Sequence, residues 1–195
     1  MIREGFEVKK ITRDEALKLI EKYVKDKNMK KHLFAVEAIM KALAERFGED
    51  EEKWALVGLL HDLDYLETKS TFEKHGFRAV EIIKEEGYEI SEDMARAIIS
   101  HASHDGWEPK TLMEKALYAT DPLTGLIVAS ALIHPAKRLS SIDTEFILKR
   151  FKEKRFAAGA NRDQIKSCEE FGLKLEEFVD IGFRAMLGIS EVLEL

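Results

Sequence analysis

The chain has 195 residues but only one cysteine, three prolines, two asparagines and a single glutamine. A lone cysteine, Cys168, excludes an internal disulfide and any cysteine-rich zinc site. Prolines at 109, 122 and 135 leave long stretches in which helices can run unbroken. The longest apolar runs, Trp54–Leu60 and Leu126–Ile133, fall far short of the ~20 residues a bilayer span needs. The first residues, Met1 to Glu7, lack the basic-then-apolar order of a secretory leader. These absences predict a soluble, cytoplasmic protein with no membrane partner.

Neither sign of charge dominates. Thirty-one Lys and Arg against 37 Asp and Glu give a net charge of −6, with both signs interspersed. Such a surface is a poor general binder of nucleic acid or anionic lipid, so neither is expected as a partner. Charged residues reach 35 %, and abundant Lys and Glu with scarce amides is a composition of proteins from hot environments. Hydrophobic residues at 45 % are enough to build a core.

Apolar residues recur at three- and four-residue spacing almost throughout, which is helical periodicity. Helix starts are marked by capping boxes at Thr12/Glu15, Ser70/Glu73 and Thr111/Glu114, with Asn161/Gln164 a close variant. The pattern predicts helices near 13–26, 29–47, 50–62, 71–86, 92–103, 111–120, 123–133, 143–156, 162–171 and 174–193. Gly48 and Gly87 are expected C-terminal stops. No segment alternates long enough to force a strand, so the class is all-α. The reading is one compact domain over 1–195, with a helical core at about 10–134. Residues 141–195 add further helices, and Pro135–Ser141 is the only candidate boundary.

Histidine and aspartate carry the chemistry. His61 and Asp62 follow the apolar run Trp54–Leu60, and a titratable pair there is costly to bury without compensation. A metal ion would compensate it. Neighbours on a helix point about 100° apart, so the two could share an ion only where the helix ends, and Leu63-Asp64-Tyr65 reads as that end. His32 shares a helix face with Ala35, Val36, Ile39 and Leu43, and Asp121 ends the apolar stretch Ala116–Thr120 before Pro122. Taken singly, a core-facing histidine is more often a structural residue, and an Asp before Pro is more often a helix cap.

Taken in order, His32, His61-Asp62 and Asp121 resemble the HD-domain superfamily of metal-dependent phosphohydrolases. The resemblance extends to its HDIG-type branch through Lys31-His32-Leu33, Gly58–Asp64, His75-Gly76-Phe77-Arg78-Ala79, Ala97–His101 and Ala119–Gly125. Phe156–Gly159 and Asn161-Arg162 look like a subfamily of uncharacterised HD hydrolases. The resemblance implies a helical bundle of HD type with additional C-terminal helices. It also implies a site for one or two divalent transition metal ions, of Fe, Mn, Ni, Zn or Co. His32, His61 and Asp121 would be terminal ligands of the first ion, His75 and His101 would hold a second, and Asp62 would bridge. Asp62 and Asp64 are the catalytic candidates, Asp64 as a supporting carboxylate or a general base. A second pair, His104-Asp105, lies in a turn context and reads as a decoy, although His104 would touch substrate if the preceding helix ran on to it.

The implied activity is hydrolysis of a phosphomonoester or phosphodiester, with a nucleotide among the options, by a metal-activated water. Two other readings use the same residues: a di-iron oxygenase acting on a small molecule, and a non-catalytic nucleotide- or metal-binding module. Many family members carry Gly and a basic residue soon after the His-Asp pair, whereas this chain has Asp64-Tyr65. A cation for phosphate must then come from elsewhere, and Lys137, Arg138, Lys152, Lys154, Arg155 and Arg162 are the pool.

Overall fold

The fold is taken from a computed structural model, which describes residues 9–195; the reading of Met1–Glu7 lies outside them. Helix α1 (Arg13–Tyr23) opens on the predicted capping box, Thr12 and Glu15 each accepting from the other's backbone N–H. Helix α2 (Lys27–Phe47) starts on Asp26 and stops at Gly48 in the left-handed conformation. Its inward stripe of Leu33, Val36, Ile39, Met40 and Leu43 is fully buried. Helix α3 (Glu51–Leu60), capped by Asp50, doubles back along α2. Phe47 meets Trp54, and Gly58 lies against Val36, so the contacts run in opposite sense along the two helices. A Cβ at Gly58 would come within 2.9 Å of the Val36 carbonyl oxygen. The missing side chain therefore sets how closely α3 approaches α2, and with it the meeting of His61 and His32.

A short helix α4 (Tyr65–Thr68) and a 3₁₀ turn (Phe72–Lys74) lead to α5 (Phe77–Glu85) and α6 (Glu92–Ser100). The long helix α7 (Leu112–Ile133) packs against α2, α6 and α8 (Thr144–Lys152), and also α9 (Arg162–Lys166). Helix α10 (Leu175–Leu187) wedges between α2 and α7, where Gly182 faces Leu123 and Ile39. The last helix, α11 (Ser190–Leu193), returns to α2. The only strands among the described residues are β1 (Lys9–Lys10) and β2 (Tyr88–Glu89), a two-residue parallel pair. The molecule is all-α.

Several expectations about the elements need correction. The Ser70/Glu73 capping box does not form, the predicted helix 143–156 ends at Lys152, and 174–193 is interrupted at Gly188-Ile189. Three further segments differ. The predicted helix 71–86 is broken at His75-Gly76, because Gly76 has φ +80° and lies against the α6 backbone at Ile98 and Ile99. The predicted helix 92–103 ends at Ser100, since Ser103 takes a positive φ. Segments 111–120 and 123–133 form one helix, α7, which runs through Pro122. By length and composition α7 could cross a membrane, and in this fold 56 % of its apolar window is buried in the core.

Candidate metal centre

Four histidines reach one point from four places in the chain. His61 sits just past the last residue of α3, and its Nδ1 lies 2.8 Å from the Gly58 carbonyl oxygen. His101 sits just past α6, and its Nδ1 meets the Ile98 carbonyl oxygen in the same way. A helix end leaves carbonyls without partners, and here each takes an imidazole N–H from three residues on. Nδ1 of His32, on α2, lies 2.9 Å from the Thr124 hydroxyl. That hydroxyl gives its own hydrogen to the Asp121 carbonyl, 2.9 Å away, and so accepts from His32. His75 repeats the arrangement: its Nδ1–H goes to Thr68 Oγ1 at 3.1 Å, and Thr68 donates to the Asp64 carbonyl at 3.0 Å. In every case the Nδ1 hydrogen has its own acceptor, so Nε2 points toward the centre and becomes the donor atom once its proton is lost.

The four Nε2 atoms surround Asp62. This residue lies in the turn after α3, where the helix axis has ended, as its sharing of a site with His61 requires. Its two oxygens face different ways. Oδ2 is 3.5 Å from both His32 Nε2 and His61 Nε2, whereas Oδ1 is 3.0 Å from His75 Nε2 and 3.2 Å from His101 Nε2. Asp121, midway along α7, completes the first set with Oδ1 3.0 Å from His32 Nε2 and 3.7 Å from His61 Nε2. The residues thus form two groups, His32–His61–Asp62–Asp121 and Asp62–His75–His101, each with donor atoms within 4.8 Å of one another. Asp62 belongs to both. Imidazole and carboxylate donors in this number suit a first-row divalent cation, and the donor set fits one in each group.

Electrostatics show what the site demands without a cation. Burial opposes charge on Asp62, but the surrounding imidazoles outweigh it and hold the carboxyl well below its ordinary range. Asp121 is lowered likewise, burial being outweighed by His32 and His61. Burial would lower His32, yet Asp121 and Asp62 raise it to about 10; Asp62 and Asp64 raise buried His75 to about 10. The ion-free site therefore holds protons where positive charge is needed, and a cation must displace them.

Asp64 stands behind His75. Its Oδ2 accepts from the backbone N–H groups of Gly76 and Ala79, at 2.8 and 3.1 Å, and so caps α5. Its Oδ1 lies 2.9 Å from His75 Nδ1, adding negative charge there without alignment for a second hydrogen bond. With 1 % of its surface exposed, Asp64 has the placement of a supporting carboxylate and not of a base facing substrate. His104 lies beyond the end of α6, in the turn that the sequence indicated. Its Nε2 donates to the His75 carbonyl at 2.7 Å and its ring lies between Phe72 and Phe77. It braces the His75 turn and is not among the residues lining the cavity at the site.

That cavity, about 430 Å³, opens beside His32 and Asp121, whose side chains are 22 % and 30 % exposed. The side chains of the second group are all under 10 % exposed. Ala157, Gly159, Ala160, Asn161 and Gln164 form the opposite wall. None of the six basic residues in the predicted pool lines it. Arg162 is engaged elsewhere, its guanidinium donating to the carbonyls of Phe151, Ala157 and Ala160 at 2.7–3.0 Å. Burial lowers its pKa. Sequence reasoning missed Gln164, taken for a capping residue. Its side-chain N–H donates at 2.7 Å to the Tyr118 carbonyl, the acceptor left without a partner because Pro122 has no N–H. The signal was present as a proline four residues after Tyr118, within an otherwise helical pattern.

Comparison with curated proteins and with solved structures gave no match. A model of the HD domain matches residues 29–134. That is more than half of the chain, and it contains His32, His61, Asp62, His75, His101 and Asp121; the chain therefore belongs to the HD-domain family.

Proposed function

We propose that this HD-domain protein is a metal-dependent phosphohydrolase with a two-ion centre, acting on a small phosphate ester. One observation carries the reading: the two carboxylate oxygens of Asp62 face separate pairs of imidazole nitrogens, each ring held at Nδ1 by its own acceptor. A single ion would need only the first group, which leaves His75 and His101 without a reason to aim at Asp62. His32, His61 and Asp121 would hold one cation, His75 and His101 the other, with Asp62 common to both. Bound there, such cations supply a water acidified toward neutrality and positive charge against a phosphoryl group.

The protein's own residues do the rest. Thr124, Gly58, Thr68 and Ile98 hold the four rings through their Nδ1 hydrogens, so the donor atoms are placed before anything binds. Asp64 locks the turn that presents His75. The cavity admits an ester from the His32–Asp121 side, and no lysine or arginine lines it among the described residues. Positive charge for the phosphoryl oxygens must then come from the centre itself. Asp121 is the most exposed carboxylate of the set and the nearest to incoming ester.

The test is metal content by mass spectrometry beside hydrolysis of phenyl phosphate and bis(p-nitrophenyl) phosphate. Two ions per chain are expected for wild type, one for His75→Ala and His101→Ala, and none for Asp62→Ala, with activity lost in all three. Full metal content in both histidine variants would overturn the second ion. Absence of hydrolysis at full metal content, with oxygen consumed by the iron-loaded protein, would overturn the hydrolase reading.

A further inference from the structure

Amide side chains are rare in this chain, and they are concentrated in one place. Asparagine occurs at 28 and 161 only, and glutamine at 164 only, yet Asn161 and Gln164 both line the cavity in front of the metal centre. Each has one end held by backbone. Asn161 Oδ1 accepts from the N–H groups of Asp163 and Gln164, at 3.0 and 3.1 Å. Gln164 Nε2 donates to the Tyr118 carbonyl. These partners fix which end of each amide is oxygen and which is nitrogen, since an N–H cannot accept and a carbonyl cannot donate. The other ends, Asn161 Nδ2 and Gln164 Oε1, have no hydrogen-bond partner among the described residues. The wall that carries them is held in place from behind by Arg162, through the carbonyls of Ala157 and Ala160.

We infer that Asn161 and Gln164 determine substrate specificity by offering one donor and one acceptor to an uncharged part of the ester, one that carries an acceptor beside a donor. This rests on the phosphohydrolase reading and sharpens it. A second anionic group on the substrate would meet no cationic side chain in the lining, and Asp121 would oppose it. The small side chains of Ala157, Gly159 and Ala160 leave room for a group of this kind. Two chemistries present such a pair: the hydroxyls of a sugar and the lactam edge of a heterocycle. The amides themselves are poised by contacts that exist before substrate arrives, so little ordering remains to be done on binding.

The experiment uses the metal-loaded full chain with four phosphomonoesters. Phenyl phosphate has no donor–acceptor edge, ribose 5-phosphate has hydroxyls, uridine 5′-monophosphate adds a lactam, and fructose 1,6-bisphosphate carries a second anion. The variants are Asn161→Ser and Asn161→Asp. Both keep an oxygen to cap the following turn and both remove the Nδ2 donor, so folding and metal content should hold. The expected result is that ribose 5-phosphate or uridine 5′-monophosphate exceeds phenyl phosphate in kcat/KM, and that this ratio falls about tenfold in both variants. Which of the two esters leads assigns hydroxyl or lactam. An unchanged ratio in both variants, or a preference for the bisphosphate, would overturn the inference. If no ester is hydrolysed at full metal content, the phosphohydrolase reading fails. Calorimetric binding of ribose and uridine then decides the role of the amides: weaker binding in Asn161→Ser supports it, and equal binding or none to wild type refutes it.

Discussion

Replacing Thr124 by valine removes one hydroxyl and little else, since the two side chains are nearly isosteric. The structure assigns that hydroxyl two bonds: it accepts from His32 Nδ1 and donates to the Asp121 carbonyl. Its loss frees the His32 ring to rotate or change tautomer, so Thr124→Val should weaken metal binding by about 10–100-fold, the usual effect of removing a ligand's outer partner. Competition with a chromophoric chelator measures this, and an unchanged affinity would mean that Thr124 does not orient His32. Residues of this type were illegible in the sequence. His32, His61, Asp62, His75, His101 and Asp121 could be picked out by order and by apolar surroundings. Thr68 and Thr124 could not, because an acceptor for an imidazole N–H has no pattern of its own until the fold brings it near.

Helix α7 breaks a local rule at Pro122, the position next to its candidate ligand Asp121. A proline inside a helix costs roughly 3 kcal/mol, partly through the hydrogen bond it deletes. Here the deleted bond is replaced from another element, by Gln164 on α9 reaching the Tyr118 carbonyl. The two substitutions should therefore be coupled. Gln164→Ala is expected to cost about 1 kcal/mol in the natural background, by leaving a carbonyl without its donor. In a Pro122→Ala background it should cost little, since the substituted alanine would supply the N–H itself. Equal costs in both backgrounds, measured by denaturant unfolding, would contradict the replacement. This contact also explains why the sequence reading split α7 in two. Proline is a local signal, and its compensation reaches the Tyr118 carbonyl from a residue 46 positions further along the chain. The failure at His75-Gly76 has the same origin, since the helical periodicity continues through a turn that is imposed by the backbone of α6. Where a helix end is set by its own cap, as at Asp26, Asp50 and Thr111, the sequence and the structure agree to within a few residues.

At the scale of the whole molecule, protons and cations compete for the same nitrogen atoms, and the sign of the competition is fixed. His32 and His75 have folded values near 10, above the ordinary 6.5, so their stabilisation of the ion-free protein is complete below about pH 6.5 and fades as pH rises toward 10. Asp62 and Asp121 are lowered, so their contribution is present above about pH 4 and is lost on further acidification. The ion-free protein should be most favoured between those limits. A cation needs the same imidazoles without their protons, and its stabilisation grows with pH. Manganese should therefore raise the unfolding temperature more at pH 8 than at pH 6, and the reverse order would refute the assignment of these histidines as ligands. Helices α2 and α7 meet at the centre, so the gain should register in global unfolding and not only locally. The unequal burial of the two groups has a further consequence, in time. His32 and Asp121 face the cavity, while His75, packed against Tyr65 and Phe72, and His101 beside it are buried. On the two-ion proposal, exchange with a chelator should run in two phases, an outer ion leaving quickly and an inner one only as fast as the segment over His75 opens. The protein would keep a memory of the metal it first folded around long after its outer ion had come to match the surroundings.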